Sequence, residues 1–357
     1  MLAVLPQYRP ASTEERTMSQ TLDHPTADLP DLPADVTPAR YAEILRGLSQ
    51  ASVDRHFDAF IDIDWDHPDF QVRADDPRWV LPADVDPLGA HPWYQAQSLE
   101  RRIAIGQWRQ ANILKVGLQF ENILIRGIMQ YVFTLPNGSP EYRYLTHEAT
   151  EECHHTQMFQ ETVNRIGAPV DGMPWLMRRI AGFLPWAGSA APYAFFIAVL
   201  AGEEPIDHTQ KGILRSGKDL PPVLSRIMEI HVAEEARHIS FAHHYIRRHA
   251  TSLGPIERRV ISMLFPVIMR VLCDVIMVPS KSFRREFDIP RDVMKDLYWR
   301  APESRERLQE LFGDVRMLAD QAGLRRSRAA RLMWRLCRID GRPSRYRSEP
   351  PVAYTRG

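Results

Sequence analysis

The 357-residue sequence predicts an all-α fold: a four-helix bundle core with additional flanking helices. Three observations predict it. Apolar residues recur at helical spacing, and no run alternates with period two for long enough to make a sheet. Proline, glycine and serine punctuate the chain where helices would start and stop. A glutamate followed by Glu-x-x-His occurs twice at one distance. Glu121 stands 31 residues before Glu152-Cys-His-His155, and Glu204 stands 31 residues before Glu235-Ala-Arg-His238.

Taken in order, residues 1–38 are rich in Pro, Thr, Asp and Ser and read as a disordered N-terminal extension, with Met18 as a second candidate start. Pro38–Val53 carries a first helix. The Trp-, Pro- and Asp-rich stretch Asp62–Pro92 reads as irregular wrapping. Trp93 to about Leu135 makes one long helical region, or two, closed by Pro136-Asn-Gly138. Ser139 is an N-cap, Pro140 fits the first helical position and Glu141 the first turn; this helix ends at Gly167. A third core helix covers about Ala191 to Ser216, and a fourth runs from Pro221-Pro222 to about His249, ahead of Gly254-Pro255. Shorter helices follow at about 256–278, 290–300 and 303–322. The expected organisation is a helical domain over 39–324 with its core at about 95–280, then a basic tail over 325–357 that includes Arg325, Arg326, Arg328 and Arg331.

Composition excludes several classes. Hydrophobic residues at 44% and charged residues at 25% are ordinary for a globular chain with a sizeable core. Basic and acidic residues balance at 45 each, so the chain as a whole calls for no nucleic acid. Three irregularly spaced cysteines make neither a disulfide framework nor a zinc site, and a reduced, cytoplasmic compartment is the simplest inference. Residues 1–38 lack the apolar segment of a secretory signal. Gly182–Ala201 and Val260–Val278 approach the roughly 20 residues that span a bilayer. The first carries Pro185 and Pro192 and runs into Glu203. The second carries Arg270 and Asp274, each costing about 2.5 kcal/mol or more at a helix centre in lipid. Both read as core helices, and no membrane span is expected.

The repeated motif points to metal. Residues i and i+3 of a helix share a face, so Glu152 with His155, and Glu235 with His238, each offer an oxygen and a nitrogen to one ion. Glu121 and Glu204 complete the set, which is the one ferritin-like helical bundles use for a pair of iron or manganese ions. Two divalent cations balance four carboxylates, whereas the same carboxylates buried without metal would be very costly. Register has to be chosen, because Glu151 and His154 form an overlapping Glu-x-x-His. Aligning 151–156 with 234–239 selects Glu152 and His155 and sets His154 opposite Arg237. Glu203 competes with Glu204; the matched spacing favours Glu204, beside a helix-disturbing Pro205. His231 lies four residues before Glu235 on the same face, either as a third imidazole ligand or as a supporting core histidine, where the first half has Glu148.

At these residues, over about 95–280, the chain resembles the p-aminobenzoate N-oxygenase family of di-iron oxygenases within the ferritin-like superfamily. The resemblance implies a third histidine ligand at His231 and hence seven ligands: Glu121, Glu152, His155, Glu204, His231, Glu235 and His238. It implies two iron ions, with manganese as the other candidate. It further implies O2, a small organic substrate such as an aromatic amine, an external reductase or ferredoxin as electron donor, and a homodimer. No flavin, nicotinamide or iron–sulfur signature supplies electrons within the chain. Substrate would sit between the ligand-bearing helices, where Leu118, Phe159, Phe195, Phe196, Leu200 and Phe241 are candidate walls.

Competing readings are a ferritin-like desaturase or hydroxylase, against which His231 speaks, and an iron-storing or iron-sensing bundle, against which chain length speaks. A membrane desaturase with histidine boxes at His154-His155 and His243-His244 would need many more histidines.

Overall fold

The computed structural model describes residues 36–343, and among these there is no strand. Thr37 caps helix α1 (Pro38–Asp54), its hydroxyl accepting from the Arg40 amide. The expected disordered extension lies, up to residue 35, outside the described residues. The stretch after α1 wraps the domain as expected, through 3-10 turns at Pro68–Phe70 and Pro77–Trp79. It is fastened by buried Trp65, whose indole N–H donates to the Ala59 carbonyl at 2.7 Å, and by buried Trp79.

Four long helices form the core: α2 (Leu99–Val132), α3 (Pro140–Ile166), α4 (Pro192–Arg215) and α5 (Pro222–Ala250). The long region after Trp93 is a single 34-residue helix from Leu99, about 51 Å at 1.5 Å per residue, preceded by a short turn at Pro92–Gln95. Ser139 sits at the N-cap of α3, but its hydroxyl bonds the Glu141 carboxylate rather than a backbone amide. Pro205 is accommodated inside α4, which continues to Arg215, nearly three turns beyond it. The missing N–H opens one rung of the ladder there.

Short loops make α2–α3 and α4–α5 antiparallel neighbours, and α1 lies across α3 and α5. Helix α6 (Pro255–Met277) packs along α4. It is long and apolar enough to cross a membrane by length and composition. Its Arg270–Asp274 ion pair, at 3.0 Å, and the buried side chains Phe265, Met269 and Cys273 instead suit a flanking core helix. The other apolar stretch is not one helix: a 3-10 turn at Leu184–Trp186 and a short turn at Ala187–Ala190 precede α4.

Beyond α6 come α7 (Pro302–Leu311), α8 (Gly313–Gln321) and α9 (Arg328–Leu336). The segment expected as a basic tail from 325 is therefore folded through residue 343. Trp334 is buried with its ring 5.8 Å from that of Phe265, the Arg325 guanidinium sits 5.0 Å over the indole, and Ile339 is buried too. The apolar surface of Trp334 and Ile339 outweighs the arginines around them: Arg325 lies over the indole, while Arg326, Arg328, Arg331 and Arg335 stay exposed. Residues 344–357 lie outside the described residues.

Candidate metal centre

Each core helix sends an acidic side chain into the middle of the bundle. One atom each from Glu121, His155 and His231 come within 4.8 Å of one another, and so do atoms from Glu152, Glu203, Glu235 and His238. All seven residues are buried. The carboxylates of Glu152 and Glu235 face both groups. Glu152 reaches His238 Nδ1 at 3.0 Å and His155 Nδ1 at 3.5 Å. Glu235 lies 3.6 Å from His238 Nδ1, 3.7 Å from His155 Nδ1 and 3.2 Å from His231 Nε2. Glu121 approaches His231 Nε2 at 3.4 Å.

Six of the seven residues singled out from sequence are brought together, and the seventh is replaced by its neighbour. Glu204 turns away and accepts from His243 Nε2 at 2.7 Å, while Glu203 enters the cluster. The equal spacing misled because the two halves are not equal: Glu121 stands 31 residues before Glu152, but Glu203 stands 32 before Glu235. Each helix of the second half runs one residue further between ligand and loop, while its loop, 216–221, is one residue shorter than 133–139. Helix phase is the better guide. Phe196, Glu203 and Gln210 recur every seven residues on α4 and are all buried.

The imidazoles are oriented from behind. His155 Nε2–H donates to Glu234 at 2.8 Å, and His238 Nε2–H donates to Glu151 at 2.8 Å; a carboxylate can only accept, so each Nδ1 is left facing the cluster. Glu234 is itself held by the Phe57 amide at 3.2 Å, and Glu151 by Arg237 at 2.8 Å. His231 is turned the other way. Its Nδ1–H donates to the Gln210 carboxamide oxygen at 2.8 Å, leaving Nε2 for Glu121 and Glu235. Each ring therefore presents one lone pair inward, the arrangement of metal-bound histidines. Glu151, Glu234 and Gln210, which hold the rings, are the residues of this cluster to which the sequence reading gave no part; the Glu-Glu doublets at 151–152 and 234–235 were the available signal.

A metal fits this donor set. Both oxygens of Glu152 and Glu203, one oxygen each of Glu121 and Glu235, and Nδ1 of His155 and His238 are buried without a hydrogen-bond partner in the chain. Buried polar atoms are seldom orphaned, and four unpaired carboxylates in a dry core require either protons or cations. The electrostatics agree. Burial pushes the carboxyls of Glu121 and Glu203 well above the usual range, reinforced by the neighbouring carboxylates. Burial works the same way on Glu152, but the His155 and His238 imidazoles beside it hold its carboxyl below the usual range. His155 and His238 hold protons more tightly than usual despite burial, because Glu152, Glu234, Glu151 and Glu235 surround them. Those protons stand where a cation would displace them. His231 differs: burial pushes it down to about 4, so it is neutral and ready to coordinate.

Glu148 is a fifth buried carboxyl at the site, on the turn before Glu152. Neither of its oxygens has a hydrogen-bond partner, and burial raises it to about 8, so it keeps its proton at neutral pH. Around the cluster, Phe159 lies 5.1 Å from the His231 ring and 6.3 Å from the His155 ring. Leu118 packs in the same apolar cluster. Phe196, Phe241 and Leu200 belong instead to a core with Tyr144 and Tyr245, with Phe241 5.0 Å from Tyr144. Phe195 points to α2, where only Gly127 leaves room for its ring. Of the remaining histidines, His154 approaches Asp58 at 3.8 Å near the surface, and His244 Nδ1–H donates to the Ser240 carbonyl.

The sequence profile described as P-aminobenzoate N-oxygenase AurF matches residues 38–323. The chain belongs to this family. The match spans the helices that carry the cluster, so the bundle and its buried Glu/His set are those of an AurF-family protein, a family of di-iron enzymes. The chain is also 60% identical over 312 residues to uncharacterized proteins of Mycobacterium bovis and Mycobacterium tuberculosis, covering 87% of this chain and 91% of each relative. No solved structure matches it.

Proposed function

We propose that this AurF-family chain is a di-iron oxygenase that uses O2 and electrons from an external donor to oxidise a small organic substrate, with N-oxygenation of an aromatic amine as the reaction. One observation carries the reading: three imidazoles, each with one lone pair directed inward, converge on four buried carboxylates that have no other cationic partner of their own. Glu121, His155 and His231 would hold one ion, Glu203 and His238 the other, with Glu152 and Glu235 shared between them. When bound, a pair of iron ions supplies the redox chemistry that turns O2 into an oxidant.

The protein's own part is to orient and to exclude water. Glu151, Glu234 and Gln210 lock the three rings. Phe159 dries the side next to His155 and His231, the one aromatic among the candidate walls that lies against the histidines. Glu148 keeps a proton on its carboxyl within a turn of the ligands, available to a reaction that consumes protons with its electrons. His231 favours the N-oxygenase reading over a desaturase, because a third neutral imidazole adds a donor without adding charge.

The test is anaerobic loading of the full chain with Fe(II), then rapid mixing with O2 and a panel of arylamines. About two irons per chain, an absorption band that grows and decays, and an arylamine gaining oxygen at nitrogen are expected. Iron uptake with no band and no turnover would favour storage or sensing, and no iron uptake would refute the centre. Parallel loading with Mn(II) settles which metal supports the chemistry.

A further inference from the structure

Far from the carboxylates, the molecule has a second concentration of charge, of the opposite sign. A cavity of about 940 Å³ opens where the end of α5, the start of α6 and the α8–α9 connection meet. Five arginines line it, Arg247, Arg258, Arg259, Arg326 and Arg328, and among the described residues no acidic side chain does. The exposed guanidiniums of Arg259, Arg326 and Arg328 repel one another across this concavity, and an anion seated among them offsets that repulsion. Nearby acids are engaged elsewhere or outside: Asp320 pairs with Arg325 at 3.0 Å, and Glu257 does not line the cavity.

The backbone builds this convergence. Arg258 donates to the carbonyls of Ala322, at 3.2 Å, and of Ala250, tying the ends of α8 and α5 together across the cavity wall. Between α8 and α9 the chain turns through Gly323 at φ +71, a conformation that favours glycine. A Cβ on Gly323 would stand 3.4 Å from Arg326 Nε and 3.6 Å from Arg258 Nη1, so two guanidiniums flank the same small residue. Two helices also begin on the cavity. Pro255 opens α6 after Gly254, with no side chain capping its first amides, and Ser327–Arg328 opens α9. Both present the positive end of a helix dipole to the space the arginines enclose.

We propose that this cavity binds a small organic phosphate carrying two or more phosphate groups, of nucleoside-diphosphate size. Guanidinium forks pair with phosphate oxygens two at a time, so several arginines around one concavity suit an oligophosphate better than a single carboxylate. The volume falls within the roughly 300–1,000 Å³ of small-molecule sites. The charge converges into a hollow rather than following a stripe, which favours a small ligand over a nucleic-acid strand or a lipid surface. The site is separate from the metal centre. Arg247 is nine residues beyond His238 on α5, about 14 Å along the helix at 1.5 Å per residue. Phe241, Tyr245 and Ile246, all buried, fill the interval. A phosphate bound here does not touch the reacting atoms.

Calorimetric titration of the iron-loaded full chain with pyrophosphate and with ADP tests this, with sulfate at matched ionic strength as control. One site per chain, binding both phosphates at least tenfold more tightly than sulfate, is expected. Arg259→Glu and Arg326→Glu change exposed side chains and should each weaken binding tenfold or more, with iron content and melting temperature unchanged. Arg328→Ala provides a third, milder variant should either reversal disturb folding. Absence of binding by both probes, or binding that the variants leave intact, would overturn the proposal. So would capture of single-stranded oligonucleotides or anionic vesicles by a chain that ignores pyrophosphate and ADP.

Discussion

The two halves of the repeat solve one problem with different chemistry. In α2–α3 the position one turn before the paired ligands is Glu148, neutral and without a partner; in α4–α5 it is His231, neutral and fixed by Gln210. The glutamates behind the histidines differ as well. Glu151 is anchored by the Arg237 guanidinium, Glu234 by a backbone amide of the wrapping segment. The duplicated spacing thus sets up two half-sites that fit a metal, and departures from it set their difference: a third imidazole in one and a protonated carboxyl beside the other.

The comparison breaks most visibly at the ligand that the spacing alone would misplace. Glu203→Ala is expected to lower bound iron from two per chain towards one and to remove O2 reactivity, whereas Glu204→Ala leaves iron content and reactivity close to wild type. Equal losses in the two variants, measured by metal analysis, would return Glu204 to the ligand set. A smaller effect is expected behind the rings. Glu151→Gln and Glu234→Gln keep shape but weaken the orienting bond, and each should reduce metal affinity about 10- to 100-fold. The Glu151 variant should lose more, because it also takes from Arg237 its 2.8 Å partner and leaves it the longer 3.5 Å contact with Glu234.

The smallest effect sharpens the contrast between Glu148 and His231. The folded carboxyl of Glu148 titrates at about 8 against an ordinary 4.5, so above pH 4.5 the unfolded chain releases its proton first. Its contribution is present in full below pH 4.5 and is lost as pH rises through about 8. Glu121, Glu203, His155 and His238, whose values are also raised, act with the same sign. Glu151 and Glu152 are held down, so their contribution is lost only as pH falls below their ordinary 4.5. The metal-free protein should therefore melt at progressively lower temperature from pH 5 to 8, and Glu148→Gln should flatten that slope. A slope unchanged in Glu148→Gln would assign it to the other groups.

Much of this was legible beforehand because helices carry phase. Glu152 with His155, Glu235 with His238, and His231 four residues earlier share faces by geometry alone, and the structure buries all five at the cluster. What was not legible depended on contacts between helices. The seven-residue phase of Phe196, Glu203 and Gln210 on α4 favours Glu203, but only the packing of that face against α5 shows that it is the ligand face. The pairing of Glu151 with His238 and of Glu234 with His155 crosses from one helix pair to the other. The arginines at 325–338 read as a solvated tail because charge density hid a single buried tryptophan.

That crossed pairing would tie the fates of two bound ions together. His155 and His238 are each steered by a glutamate on the opposite helix, so an ion leaving one side would free a ring whose rotation slackens the carboxylate beside the other. Metal would come and go as a pair, and sequence change in this bundle should likewise proceed in matched steps, because neither half of the repeat can drift alone without releasing its sibling's ligand.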